Sequence, residues 1–413
     1  MAQQGAPYTG STVSNFSLKR TPGLALAALG LLSTGYFFPA AAQSSATGPV
    51  PMTQQAAPIS ASSYVTVGQF YYGQGNFQRA LVAYGAAVRA NPTNPDALLG
   101  LGRTQTRLGQ SSAAAATLTR LLELDPANIS AHVALSQAYS LAFRQDRLPQ
   151  SGEIRLGQPA GGDANLRSAL ATLDAAERAL SGLPTARRGT EASKIWNERG
   201  YILRFQGDLR GAIRAFQEAS RLNPTESVIL FNLAETQYAG GDLTAAIATI
   251  QRAVLAQPRD ALNRAYFARL LAEGGNFAVA RPQAAMAVQL APTSAYAAGQ
   301  YGVVSYLARE PLTARVQLER ALELSGGSYP DFSYYLGRLN LDAGDLTRAR
   351  SNFGDAASTG QSADAYYFLG LSLERSGTGT AAQPQQAAQA YRQALNLQAD
   401  HPEAAEGLAR LQP

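Results

Sequence analysis

The sequence predicts an all-α solenoid of stacked antiparallel helix pairs, and three observations predict it. One pattern of large and small residues returns about every 34 residues from Ser60 onward. A Gly–Asp or Gly–Asn pair recurs inside that pattern in one register. The chain has 413 residues, more than one ordinary core accommodates, whereas a repeat array grows by packing each unit on its neighbours.

The clearest copy is SKIWNERGYILRFQGDLRGAIRAFQEASRLNPTE, from Ser193 to Glu226, with Trp196, Gly200, Ala212, Phe216, Ala219 and Pro224 at fixed intervals. An earlier copy carries Tyr64, Gly68, Tyr71, Ala80, Tyr84, Ala87 and Pro92; the next carries Leu98, Leu101, Gly102, Ala114, Leu118, Leu121 and Pro126. The frame returns at Leu230 and Ala246, at Phe267 and Ala280, and at Tyr301 and Ala314. It returns again at Leu336 and Ala349, and last at Tyr366 and Ala387. These columns resemble the tetratricopeptide repeat (TPR) over residues 61–402, and the chain is identified as an exported bacterial member of that family. The resemblance implies a right-handed superhelical solenoid of antiparallel helix pairs, about nine units plus a C-terminal capping helix at 403–413.

The physical logic of the frame is direct. Small residues such as Gly200, Ala212 and Ala219 belong where two helices cross closely, and Trp196 and Phe216 fill the space beside them. Gly75–Asn76, Gly207–Asp208, Gly241–Asp242, Gly275–Asn276 and Gly344–Asp345 mark the turn inside a unit. Gly takes the left-handed conformation that ends the first helix, and Asp or Asn caps the second. In two looser copies Pro311 and Pro384 mark that second start instead.

The frame breaks in several places. Residues 144–165 read as a loop insertion of about twenty residues inside the third unit, and 377–382 as a shorter one. Arg264 stands where the family places a large apolar residue. Pro282 falls inside a predicted second helix, which it should kink or delay.

Ahead of the array, Lys19 and Arg20 precede an uncharged stretch from Gly23 to Phe38, followed by Pro39 and Ala40–Ala42. A basic flank, a short apolar run and a small-residue end make residues 1–42 a secretory signal by expectation, cut after Ala42. The alternative is an inner-membrane anchor through residues 23–38, the only case in which membrane contact follows. Residues 43–60 carry three prolines and no charge, and read as a disordered linker. The expected address is the periplasm or cell envelope.

Composition narrows the function. The formal net charge of +5 is thin over this length, and the strongest basic run is Arg187–Arg188, so nucleic acid is not an expected partner. The chain has no cysteine and two histidines, His132 and His401, which excludes thiolate chemistry and multi-His metal sites. His132 reads as a packing residue and His401 as solvated. No phosphate loop, dinucleotide fingerprint or H-E-x-x-H is present, and no pair of acids is marked out by spacing. Catalytic residues, metal and cofactor are therefore expected to be absent, with the acids serving as helix caps and exposed faces.

What the resemblance implies instead is a binding groove lined by first helices. It places Tyr72, Arg103, Arg107, Tyr201, Arg204, Phe205, Phe231, Tyr238, Arg269, Tyr306, Tyr334, Arg338 and Tyr367 at or near that groove. Tyr and Arg are residue types that concentrate binding energy at interfaces. The Lys/Asn clamp of chaperone-binding members cannot be assembled from two lysines, Lys19 and Lys194. An asparagine ladder also fails: Asn232 fits, but its column elsewhere holds Thr66, Gly100, Glu198 and Tyr266. The expectation is a non-catalytic scaffold of the bacterial envelope that holds a protein or peptide segment. The alternatives are a glycan- or peptidoglycan-binding module and a non-catalytic subunit of an envelope assembly or enzyme complex.

Overall fold

The computed structural model describes residues 60–147, 162–327, 329–358, 360, 362–376 and 382–411. The leader and linker expected at 1–60 lie outside these residues except for Ser60, as do 148–161 and 377–381 of the two insertions.

Nineteen α-helices are described, and they pack as nine consecutive pairs and a last single helix. Units one to three are α1 (Ala61–Gly73) with α2 (Phe77–Ala90), α3 (Pro95–Arg107) with α4 (Ser111–Leu124), and α5 (Ile129–Arg147) with α6 (Gly162–Ala179). Units four to six are α7 (Thr185–Phe205) with α8 (Leu209–Leu222), α9 (Ser227–Ala239) with α10 (Leu243–Ala256), and α11 (Ala261–Glu273) with α12 (Phe277–Leu290). Units seven to nine are α13 (Ala295–Leu307) with α14 (Pro311–Ser325), α15 (Pro330–Asp342) with α16 (Leu346–Ala357), and α17 (Ala363–Arg375) with α18 (Ala382–Leu397). The single helix is α19 (Pro402–Arg410). Helices α5 and α6 extend into both ends of the stretch expected as an insertion, so four residues at each end are helical.

The turn signal acts as its chemistry requires. Gly75, Gly207, Gly241, Gly275 and Gly344 all have φ between 71° and 87°. The following Asn76, Asp208, Asp242, Asn276 and Asp345 each accept a backbone N–H three residues on. Unit seven departs from this: its turn holds Arg309 at φ 60°, a non-glycine residue in the left-handed region, and Pro311 opens the next helix. The start of α12 is not delayed by Pro282. Gly275 and the Asn276 cap fix it at Phe277, and Pro282 lies on an exposed side.

Within a unit, glycine on the first helix receives an aromatic ring from the second. A Cβ on Gly200 would meet the Phe216 ring at 2.7 Å, and one on Gly370 would meet Tyr391 at 2.7 Å. Ala212, Phe216 and Ala219 are fully buried. Trp196 is only half-buried, with the Arg199 guanidinium 5.2 Å from its ring centre. Arg264 is explained by a hydrogen bond: Nε donates to the Pro258 carbonyl at 2.6 Å. His132 sits at the same offset in its own unit, buried, with Nε2 2.9 Å from the Pro126 carbonyl.

Between units, a stripe of three positions on each first helix faces back onto the preceding pair. In α7 these are Ile195, Glu198 and Ile202; the two isoleucines pack against Leu173 and Ala176 of α6. The same positions are Ala97, Gly100 and Thr104 in α3, Ala131, Ala134 and Ala138 in α5, and Ile229, Asn232 and Thr236 in α9, all buried. Leu270, Val304, Leu339 and Ser372 continue the third column, also buried. In unit one the three positions are Ser63, Thr66 and Phe70, and all are exposed.

At the other end α19 closes the array. Its Ala404 and Gly407 are buried, and Gly407 packs on the Tyr391 ring. His401 corrects the expectation of a solvated residue. It is buried, its Nδ1 accepts the Ala404 N–H at 3.3 Å to cap α19, and its ring lies against Tyr367. The Asp364 carboxylate, 3.3 Å from Nε2, raises the pKa of this imidazole against the opposing effect of burial.

Candidate functional site

All thirteen residues expected at the groove lie on first helices: Tyr72 on α1, Arg103 and Arg107 on α3, Tyr201, Arg204 and Phe205 on α7, Phe231 and Tyr238 on α9, Arg269 on α11, Tyr306 on α13, Tyr334 and Arg338 on α15, and Tyr367 on α17. They do not form one open lining. The middle of the face is filled by its own side chains, and the two ends are more open.

At the N-terminal end, the Tyr72 ring meets Phe77 edge-on at 5.3 Å, and the Arg107 guanidinium lies 5.0 Å from the Phe77 ring centre. Arg103 is exposed beside them. Burial raises the pKa of the Tyr72 hydroxyl, and the charges of Arg107 and Arg103 oppose the rise. Across the next units Phe205 is half-buried against Phe143, with Arg144 5.9 Å from its ring.

In the middle, neighbouring first helices tie to one another. Tyr201 donates its hydroxyl to Asn232 Oδ1 at 2.7 Å, and Asn232 Nδ2 donates to Asn197 Oδ1 at 2.9 Å. Arg204 pairs with Glu235, both side chains buried. Phe231 is buried against Tyr266. Tyr238 donates to Glu273, whose Oε1 accepts from Arg269 Nε at 2.9 Å. Arg269 also reaches Asp331 on α15, two units on, and lies 5.6 Å from the Tyr335 ring.

Toward the C-terminal end, Arg338 stacks on Phe368 at 4.3 Å and donates to the Tyr334 hydroxyl at 3.0 Å. Tyr306 meets Tyr335 edge-on at 5.3 Å, and Tyr367 packs on Tyr391. Tyr334 is buried, whereas Tyr306, Arg338 and Tyr367 keep part of their surface in solvent.

Two corrections follow. Tyr201, Arg204, Phe231 and Tyr334 are removed from solvent because side chains on the same or adjacent first helices use their polar atoms and rings. The acids also are more than caps and exposed faces: Glu235, Glu273 and Asp331 are the counter-ions that close the middle. The 31-residue offset between Arg204 and Glu235 is the signal that would have revealed the first of these ties.

Glu198 stands apart. It is buried between α5 and α7 and accepts from Gln137 Nε2 at 3.2 Å. Burial pushes its carboxyl up to about 7 from an ordinary 4.5, against that hydrogen bond. A folded-state pKa above the unfolded value means stability that is full below about 4.5 and is lost as the pH rises through about 7. The expected loss is about 3 kcal/mol, an upper figure for a buried carboxyl. Glu198→Gln should flatten that pH dependence in chemical denaturation at pH 5 and 7.5. An unchanged slope would remove Glu198 as its source.

Among the described residues no group of His, Asp and Glu could hold a metal ion, and no helix is long and apolar enough to cross a membrane. Fold and contacts together define a helical-repeat solenoid of stacked helix pairs. Models of the tetratricopeptide repeat match residues 71–140, 205–272, 308–362 and 334–382, about half of the chain. The chain belongs to the tetratricopeptide repeat family, whose solenoids are in general protein–protein interaction scaffolds.

The chain is similar to several known proteins, these three among them. A thermophilic TPR protein of Thermus thermophilus is 26% identical, with 51% of this chain and 99% of that one covered at a TM-score of 0.44. The human IFIT1 dimer with m7Gppp-AAAA is 17% identical, with 82% and 72% covered at a TM-score of 0.50, a likeness of fold alone. The human Protein O-mannosyl-transferase TMTC1 is 23% identical over 204 residues, 49% of this chain. That match spans 20% of the transferase's length.

Proposed function

We propose that the chain is a non-catalytic scaffold, exported to the bacterial cell envelope, that holds a segment of a partner protein along its first-helix face. The observation that carries the reading is the split of that face. Its middle is filled, while Tyr72, Arg103 and Arg107 at one end, and Tyr306, Arg338 and Tyr367 at the other, keep rings and guanidinium groups within reach of a partner. Such groups give large contact area and forked donors at modest entropic cost. Residues 19–42, with their basic, apolar and small-residue order, support export; the alternative is retention through residues 23–38.

Two measurements test this. Arg103→Ala with Arg107→Ala should cut recovery of the envelope proteins the chain retains by at least about tenfold. Arg210→Ala, on the exposed side of α8, should leave recovery unchanged. Equal recovery by all three proteins would move the contact elsewhere. For the address, residues 1–60 fused to a reporter active only outside the cytoplasm should give signal, and a silent reporter rejects export.

A further inference from the structure

Two sequence offsets tie neighbouring first helices together. An offset of 31 residues joins Tyr201 to Asn232 and Arg204 to Glu235. An offset of 35 joins Asn197 to Asn232 and Tyr238 to Glu273. The first offset also separates Glu235 of α9 from Tyr266 of α11, and the second separates Tyr296 of α13 from Asp331 of α15. Those two pairs do not close. The Tyr266 and Tyr296 hydroxyls, Glu235 Oε1 and Asp331 Oδ1 are buried, and none has a hydrogen-bond partner among the described residues. Gln300 Oε1, one turn after Tyr296 on α13, is in the same condition.

These groups form one cluster. The charges of Glu235 and Asp331 both act on the Tyr296 hydroxyl, and Glu235 also acts on that of Tyr266. The two tyrosines are only 6% and 3% exposed. Buried polar atoms in folded proteins are as a rule hydrogen-bonded, so orphans gathered in one place call for a partner. Glu235 Oε1, Asp331 Oδ1 and Gln300 Oε1 can only accept, against one unpaired donor nearby, Arg204 Nε. Charge points the same way. Three carboxylates, Glu235, Glu273 and Asp331, share two guanidinium groups, Arg204 and Arg269, which leaves one negative charge uncompensated among the described residues. Asp331 and Glu273 keep a small part of their surface in solvent, so the cluster is reachable from their side.

We infer that this cluster receives the primary ammonium of a lysine side chain from the bound segment, held by Glu235, Asp331 and the hydroxyls of Tyr266 and Tyr296. An ammonium carries three donors and one positive charge, matching the acceptors in kind and the uncompensated charge in sign. Its stem is slender, as rings this well buried demand, whereas a planar guanidinium has to part them. A metal ion is a poor occupant, since no group of acids among the described residues is arranged to hold one. The inference rests on the scaffold reading and names one residue type that the held segment carries.

Nuclear magnetic resonance of the full chain with labelled tyrosine rings tests this, with Nα-acetyl-lysine methylamide as the probe. The ring signals of Tyr266 and Tyr296, assigned through Tyr266→Phe and Tyr296→Phe, should shift with the probe and saturate. The Nε-acetylated probe, which lacks the charge, should leave them in place. The arginine analogue should bind at least about tenfold more weakly. The double variant, read from the neighbouring Tyr238 and Tyr335 rings, should bind the lysine probe at least about tenfold more weakly than the parent. It should also melt at or above the parent temperature, because a buried hydroxyl without a partner adds no stability. Tyrosine signals that ignore the lysine probe overturn the inference, as does an equal response to the acetylated or arginine probe. So does a double variant that binds like the parent, or one that melts lower, since its hydroxyls then have partners within the chain. Any of these results leaves the scaffold reading intact if Arg103→Ala with Arg107→Ala still cuts recovery; probe binding without that cut rejects the scaffold contact and keeps the ammonium site.

Discussion

Arg204→Ala should destabilise the middle of the array by about 3–5 kcal/mol, because it leaves Glu235 buried with no cation. The two side chains are 5% and 6% exposed, so water screens little of the loss. The guanidinium also lies 5.1 Å from the Tyr201 ring, and that packing goes with it. The effect should be local, since a solenoid distributes its stability over unit-to-unit interfaces. Amide exchange should therefore accelerate in α7 to α10 and change little in α1 to α4. Pairing Arg204→Met with Glu235→Leu should recover most of the loss, because two apolar residues of similar bulk replace an ion pair at little net cost. If Arg204→Ala melts like the parent, the pair is a contact of geometry without energetic consequence.

That variant also marks the boundary of what the sequence makes legible. The repeat columns are short-range facts: Gly200 and Phe216 lie within one helix pair, and Gly207–Asp208 is one turn, so spacing alone places them. The same holds for the end of the array, where helical patterning at 403–413 foretells α19. The filled middle is different. Arg204 finds Glu235 in the next unit, and Arg269 finds Asp331 two units on, because the stacking brings distant first helices together. A column frame says which residues face the inner side, but not whether another side chain of the chain already occupies that space. His401 shows the same gap. Its sequence position near the terminus suggests solvent, yet capping α19 and packing on Tyr367 bury it. Arg309 at φ 60° breaks the Gly rule of the turn, and here Pro311 at the start of α14 supplies the signal in its place. The exposed Phe70 was legible as a residue but not as a departure, because its meaning lies in the burial of the same column in every later unit.

Phe332→Ala should cost about 3–5 kcal/mol, the range for emptying an aromatic site in a packed core. Phe332 is 1% exposed and stacks on Tyr329 at 4.9 Å, so its neighbours cannot collapse freely into the space. Its counterpart is Gly299 on α13, where an added Cβ would stand 2.1 Å from the ring. Gly299→Ala alone should therefore also destabilise, by about 1–3 kcal/mol, because the ring is held and cannot move aside. The pair differs from Gly200 with Phe216, where glycine and ring belong to one unit: here the glycine of unit seven receives an aromatic side chain from α15 of unit eight. It thus sets how closely two units approach. Moving the bulk to the other helix, Gly299→Leu with Phe332→Ala, should be less destabilising than the two single changes added together. The coupling would be read as the difference in a double-mutant cycle by thermal unfolding. Additive losses would mean that the two positions do not share one space, and that the unit-seven to unit-eight spacing is set elsewhere on α13 and α15.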